Sequence, residues 1–120
     1  MLNLDTHILV HGLRGDVRRH ERDLLAKQAW GIAAIVLWEL AKLAQLGRLG
    51  IDLEDPDVES ALSYVHVWPL DLAVARASTR LDFRGDPADE LIAATSLVYA
   101  VPLLTRDKRM RRSKIVPLAR

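Results

Sequence analysis

Five acidic residues of the chain are candidates for metal chemistry, although they stand far apart in the sequence. They are Asp5, Glu39, Asp86, Asp89 and Asp107. Mg²⁺ and Mn²⁺ prefer oxygen ligands, and Mg²⁺ takes only one or two protein carboxylates directly while it keeps several waters. Such a site activates water and neutralises the charge that develops on a phosphodiester in the transition state. If these acids converge, their types therefore indicate metal-dependent hydrolysis.

Some of these acids also have ordinary structural explanations, which stay open at this point. Asp5 and Asp107 each precede a segment that can form a helix, so either side chain could serve as an N-cap. Glu39 stands three residues before Lys42, and an ion pair along one helix is the favoured explanation for Glu39 taken alone.

Asp86 and Asp89 suit the first turn of a helix that begins at Pro87. Asp86 would be the N-cap, and Asp89 would be favoured there by the helix dipole. The two explanations are compatible, because a helix N-terminus can also direct both carboxylates at a metal ion.

Basic residues are concentrated at the C-terminal end of the chain. Residues 105–120 hold seven of the 17 basic residues and one of the 16 acidic ones, so a body of net charge −5 precedes a tail of net charge +6. This distribution is typical of a phosphate-binding rim beside a carboxylate site. A solvated terminal helix or contact with an acidic protein is the alternative. The candidate phosphate contacts are Arg106, Arg109, Arg111 and Arg112.

Other site chemistries have little support in the sequence. The chain has no cysteine, which excludes disulfides and thiolate metal sites. His7 and His11 are four residues apart and could share a helix face, but no His-Glu-x-x-His pattern accompanies them. There is no glycine-rich phosphate loop and no Gly-x-Ser-x-Gly elbow. We expect the three tryptophans, Trp30, Trp38 and Trp68, to lie in the core.

Length and composition indicate one globular domain over residues 1–120. Half of the residues are hydrophobic and 28% are charged. The longest apolar stretch, residues 30–46, is too short and too polar to span a bilayer, and the N-terminus has no secretion signal. We therefore expect a soluble, cytoplasmic protein that does not bind membranes.

Apolar patterning and cap signals predict alternating strands and helices. Strands are predicted at residues 2–4, 30–34, 65–68, 101–104 and 115–118. Helices are predicted at residues 6–13, 18–28, 35–46 and 71–81, and from Asp55 and Asp86 onward. Such alternation is typical of an α/β sandwich around a mainly parallel sheet, whose ligands bind beyond the carboxyl ends of the strands. Asp5 and Asp107 each follow a predicted strand, so both should lie at that edge.

Four segments, in the same order, resemble PIN-domain proteins, and most of all toxins of the VapC type from toxin–antitoxin pairs. The segments are LNLDTHILV, AAIVLWELAKLAQLGRL, GDPADELIAATSLVYAVPLLTRDKRM and IVPL. The resemblance implies a three-layer α/β/α sandwich and a Mg²⁺- or Mn²⁺-dependent endoribonuclease. It also implies an RNA substrate and inhibition by a cognate antitoxin, and we expect a homodimer.

The resemblance also implies roles for individual residues. The catalytic acids of the family fall on Asp5, Glu39, Asp89 and Asp107. The implied metal ligands are Asp5, Asp86, Asp89 and Asp107. The hydroxyl of Thr105, and that of Thr6, would support the metal site, and the arginines of the basic tail would contact RNA.

The chain departs from the family pattern at two positions. Val36 stands where relatives often have Ser or Thr, and Glu90 stands where they usually have Arg. Neither change removes a metal ligand, so we expect activity to be kept.

There are three alternatives to an RNA-cleaving enzyme. A receiver domain needs an acidic pair near the first strand, and a haloacid-dehalogenase-type phosphatase needs a second aspartate two residues after the first. Here Asp5 stands alone and His7 holds the second place. A non-catalytic PIN-like module that binds RNA or protein remains the alternative.

Overall fold

A computed structural model describes all 120 residues. The strands are β1 (Leu2–Leu4), β2 (Trp30–Ala33), β3 (His66–Trp68) and β4 (Leu103–Leu104). The helices are α1 (Thr6–Arg14), α2 (Arg19–Lys27), α3 (Ala34–Gln45), α4 (Pro56–Ser63), α5 (Leu72–Ser78), α6 (Pro87–Tyr99) and α7 (Lys108–Arg111). No helix is both long enough and apolar enough to cross a bilayer.

The four strands form one sheet in the order β3-β2-β1-β4, and every pair is parallel. The predicted α/β class with a parallel sheet is therefore confirmed. β1 and β4 are neighbours, so their carboxyl ends meet at the same edge of the sheet. This edge carries Asp5 directly after β1 and Thr105 directly after β4.

The core is built around β1, which is buried along its whole length. Leu2 and Leu4 are fully buried, as expected for a central strand of a parallel sheet with helices on both faces. On β2, Gly31 lets the ring of Trp68 pack against the backbone. A Cβ at position 31 would lie 2.4 Å from that ring, so no larger residue fits without movement of the tryptophan.

Asn3 is the one polar residue inside β1, and it connects the strand to α6. Its Nδ2 donates to the carbonyl oxygen of Ile92 at 3.0 Å and to Oγ of Ser96 at 2.9 Å. Its Oδ1 is buried and has no hydrogen-bond partner. The bonds of Asn3 thereby fix α6, which carries Asp89, against the strand that leads to Asp5.

Two expectations about packing were wrong. Residues 115–118 do not form a strand; they contribute a single parallel bridge between Leu118 and Leu103. The ladder is limited here because Pro117 has no N–H to donate. Trp38 is not in the core but 55% exposed, because it lies on the outer face of α3.

Candidate active site

The five acids named from the sequence line one cavity of about 460 Å³ at the carboxyl edge of β1. The remaining lining residues are His7, His11 and Arg106, and no apolar side chain takes part. The acids reach the cavity from four parts of the fold: the end of β1, the middle of α3, the start of α6, which carries two of them, and the start of α7. The fold thus brings together acids up to about a hundred residues apart in sequence.

Asp5 is held rigidly at the centre of this arrangement. It is 5% exposed, its Oδ1 accepts from the backbone N–H of Thr6 at 2.8 Å, and its Oδ2 accepts from Oγ1 of Thr105 at 2.6 Å. Asp5 is therefore the N-cap of α1, as predicted, and it also lines the cavity. Burial raises the pKa of Asp5 above its usual range, although these two hydrogen bonds act in the opposite direction.

Glu39 does not form the helical ion pair that the sequence favoured. Lys42 Nζ instead donates to Gln45 at 3.2 Å and lies 5.8 Å from the centre of the Trp38 ring. The Oε1 of Glu39 accepts a hydrogen bond of 2.5 Å from Oγ1 of Thr6. Glu39 is thus turned toward the cavity, and burial raises its pKa.

Asp86 and Asp89 stand at the start of α6, as predicted. Asp86 occupies the N-cap position, yet its side chain makes no capping hydrogen bond. Burial raises the pKa of Asp89 to about 7, and repulsion by Asp5, and then by the other cavity acids, adds to the effect. Burial and repulsion therefore both favour the protonated form of Asp89 in the metal-free cavity.

Thr105 connects two of the acids through one hydroxyl group. Its Oγ1 donates to Asp5 and accepts from the backbone N–H of Asp107 at 3.0 Å. Asp107 in turn accepts from the backbone N–H of Met110 at 3.0 Å and so caps α7. Thr105 is 2% exposed, so this link between the ends of β1 and β4 is shielded from water.

None of the five acids forms an ion pair with a basic side chain. No group of three or more His, Cys, Asp or Glu side chains is arranged so that it could hold a metal ion by itself. That arrangement is no obstacle for Mg²⁺, which takes one or two carboxylates directly and completes its shell with water. An all-oxygen donor set with unbalanced negative charge fits a hard divalent cation.

The basic tail reaches the cavity only in part. Lys108, Arg109 and Arg112 line an adjoining cavity of about 580 Å³ together with three of the acids. Arg111, also expected to contact the substrate, does not line either cavity. Lys108 was not singled out from the sequence, although its place directly after Asp107 was an available signal.

Arg106 lines the acidic cavity but is bound to a residue that sequence reasoning missed. Its Nε and Nη2 donate to the two carboxylate oxygens of Glu21 at 2.8 and 2.7 Å. Glu21 is 1% exposed, and the hydrogen bonds from Arg106 lower its pKa to about 2. Nothing in the segment RHERDLLAK distinguishes Glu21 from an acid on a solvated helix, so no local signal could have identified it.

The two departures from the family pattern lie outside the acidic cavity. Val36 is fully buried and belongs to the hydrophobic core. Glu90 lines a separate cavity of about 410 Å³ near Arg84 and Phe83. In the acidic cavity itself, the lining residue His11 is bound to another acid: its Nδ1 lies 2.8 Å from a carboxylate oxygen of Asp16.

Comparisons with known proteins show which family the chain is similar to. The PIN domain family model matches residues 3–115. The chain is 34% identical over 83 residues to Ribonuclease VapC22 of Mycobacterium tuberculosis, a match that covers 67% of this chain and 64% of that protein. The matched region therefore spans less than two thirds of that relative.

Solved structures with much lower identity share the fold. A toxin–antitoxin complex from Klebsiella pneumoniae contains a chain with a TM-score of 0.70 at 18% identity, and the match covers 99% of this chain and 97% of that one. DNA-bound VapBC from Salmonella typhimurium gives a TM-score of 0.73 at 19% identity, with 98% and 96% covered.

Proposed function

The chain belongs to the PIN-domain family, and on that premise we propose that it is a metal-dependent endoribonuclease that acts as the toxin of a toxin–antitoxin pair. The observation that carries the proposal is the cavity itself, where five carboxylates converge without a basic partner. The sequence likeness to a ribonuclease of the VapC type supports the reaction, and the toxin–antitoxin complexes among its structural relatives support the partner.

In this proposal Asp5 and Asp89 are the main metal ligands, and Asp86 and Asp107 complete the set. The chemistry that Mg²⁺ or Mn²⁺ supplies when bound is activation of water and neutralisation of charge on the phosphodiester. Thr105 keeps the carboxylate of Asp5 in one orientation. The hydroxyl group of Thr105 both donates to Asp5 and accepts from the backbone N–H of Asp107, so the threonine side chain cannot rotate without breaking two hydrogen bonds.

Glu39 orients the attacking water in the proposed reaction. Thr6 holds its Oε1, which leaves Oε2 to accept a hydrogen bond or a proton from that water. Burial raises the pKa of Glu39 in the metal-free protein, and a carboxylate oxygen within reach of the water is the geometric requirement for this role.

RNA enters along the basic rim made by Lys108, Arg109 and Arg112. These side chains border the acids, so phosphates held by the rim would place the adjoining phosphodiester over the carboxylates. Contacts of this kind read the backbone and not the bases. A cognate antitoxin would inhibit the enzyme by covering the same opening.

Expression in cells without any antitoxin tests the biological role. The wild type should arrest growth, Glu39→Gln should be tolerated, and Glu90→Gln should arrest growth like the wild type because Glu90 lies outside the acidic cavity. Arrest by Glu39→Gln would indicate toxicity unrelated to hydrolysis. Harmlessness of the wild type would remove the toxin assignment.

Thermal melts with Mn²⁺ and with chelator test the cofactor directly. At about 100 times its dissociation constant the ion should stabilise the fold by roughly 2.7 kcal/mol. Asp5→Asn should lose most of this gain, and so should Asp89→Asn. Superimposed melts of the wild type in Mn²⁺ and in chelator would contradict a metal-dependent enzyme.

A further inference from the structure

We infer that Glu21 is a positioning residue, which holds Arg106 on the wall of the acidic cavity and keeps it from pairing with the carboxylates that bind the cation. This inference rests on the proposed function, because it concerns the same cavity. Glu21 lies in α2, 85 residues before Arg106 in the sequence. Neither residue is one of the five cavity acids.

Arg106 is a possible competitor with the cation for the carboxylates, because it lies on the wall of the same cavity. It stands between Thr105 and Asp107 and is the only arginine or lysine that lines the cavity of the five acids. An arginine fork binds a carboxylate through two parallel hydrogen bonds, which is among the strongest contacts available to it. Free of restraint, the guanidinium group would occupy one of the acids and neutralise it.

Glu21 offers the fork a better partner than any cavity acid. Both of its oxygens accept from Arg106, and its Oε1 also accepts from the backbone N–H of Arg18 at 2.8 Å. The contact with Arg18 fixes the carboxylate at the start of α2 independently of Arg106. The pair is shielded, because the side chain of Glu21 is 1% exposed and that of Arg106 is 23% exposed.

Because Glu21 holds Arg106, the five cavity acids have no ion-pair partner. The cavity keeps five carboxylates without an ion pair although it contains an arginine, because that arginine is already bound to Glu21. Loss of the Glu21 charge should therefore convert Arg106 from a wall residue into an internal competitor of the metal ion.

Calorimetric titration with Mn²⁺ tests this inference without measuring RNA cleavage. Glu21→Gln should bind Mn²⁺ about tenfold more weakly than the wild type, the effect of roughly one charged hydrogen-bonded contact. Asp23→Asn removes the same charge from an exposed place on α2 and should bind within about twofold of the wild type.

Two charge-matched double variants separate competition from general electrostatics. Glu21→Gln with Arg106→Gln should recover the wild-type affinity, because the competitor is gone. Glu21→Gln with Arg22→Gln has the same net charge and keeps Arg106, so its affinity should stay low. Equal recovery in both doubles would overturn the inference, and so would wild-type affinity in Glu21→Gln.

A measurement on the unchanged protein covers the case in which Glu21→Gln does not fold. Guanidinium chloride at tens of millimolar, which does not chelate Mn²⁺, should weaken Mn²⁺ binding to the wild type more than sodium chloride of the same ionic strength. Equal effects of the two salts would overturn the inference while leaving the proposed function intact. A wild type that binds no Mn²⁺ would instead overturn both.

Discussion

Replacing Asp89 by asparagine should stabilise the metal-free protein at neutral pH. The folded protein raises the pKa of Asp89 from 3.8 to about 7, a change of about three pKa units. At about 1.36 kcal/mol per unit, the charged form costs up to about 4 kcal/mol above pH 7. Solvent screening reduces this cost, and asparagine loses roughly 0.3–1 kcal/mol of favourable interaction with the dipole of α6. The expected gain is therefore about 2 kcal/mol.

The gain should depend on pH in a defined direction. The folded protein binds this proton more tightly than the unfolded chain does, so stability falls as the pH rises from about 4 to about 7. Asparagine has no such titration. Its advantage over the wild type should be full at pH 8 and should largely disappear at pH 4.

Urea unfolding in chelator at both pH values provides the measurement. Glu90→Gln is the matched control, because it removes an acid from the same first turn of α6 but lies outside the acidic cavity. It should be neutral or slightly destabilising. The raised pKa of Asp89 would be refuted if Asp89→Asn were no more stable than the wild type at pH 8, or if its gain were equal at both pH values.

Three further outcomes follow from other contacts. The lowered pKa of Glu21 stabilises the folded protein by about 3 kcal/mol at pH values above 4.5, its ordinary pKa, and this stabilisation is lost as the pH falls toward 2. In urea unfolding, Arg106→Gln should therefore be destabilised by about 3–5 kcal/mol at pH 7 and by much less at pH 3. An equal loss at both pH values would contradict this ion pair. Neutralising Arg109 and Arg112 should lower the salt slope of RNA binding by roughly 1.4, measured by titration at several salt concentrations, and an unchanged slope would remove the rim from the RNA path. Trp38→Ala should cost less than about 0.5 kcal/mol in the same unfolding assay, whereas a loss of about 3–5 kcal/mol would mean that the ring is buried.

Much of the fold could be predicted because its signals are local. An Asp-Pro pair marks the start of both α4 and α6, because aspartate is favoured at the N-cap and proline is tolerated in the first turn of a helix. The short apolar runs of β1 and β2 were found because strands of a parallel sheet are buried on both faces. The rule that ligands bind at the carboxyl ends of such strands then indicated one edge for Asp5 and Asp107.

The contacts that could not be predicted are those between distant residues. The partner of Glu39 is Thr6, 33 residues away, and a local rule selected Lys42 instead. The bond between Glu21 and Arg106 depends on how α2 lies beside the end of β4, which no spacing within the chain encodes. Trp38 was misplaced because residue type predicts burial only on average, whereas the direction of a helix face is set by packing.

The order of the strands also determines when a growing chain can acquire its site. β1 is made first, but its neighbour β4 and the residues Thr105 and Asp107 are made only after about a hundred others. A nascent chain on the ribosome that ends before β4 has Asp5 without the hydroxyl group that orients it. If the acidic cavity cleaves RNA, a chain that ends before β4 lacks both the hydroxyl group of Thr105 and the carboxylate of Asp107, so it should not cleave RNA.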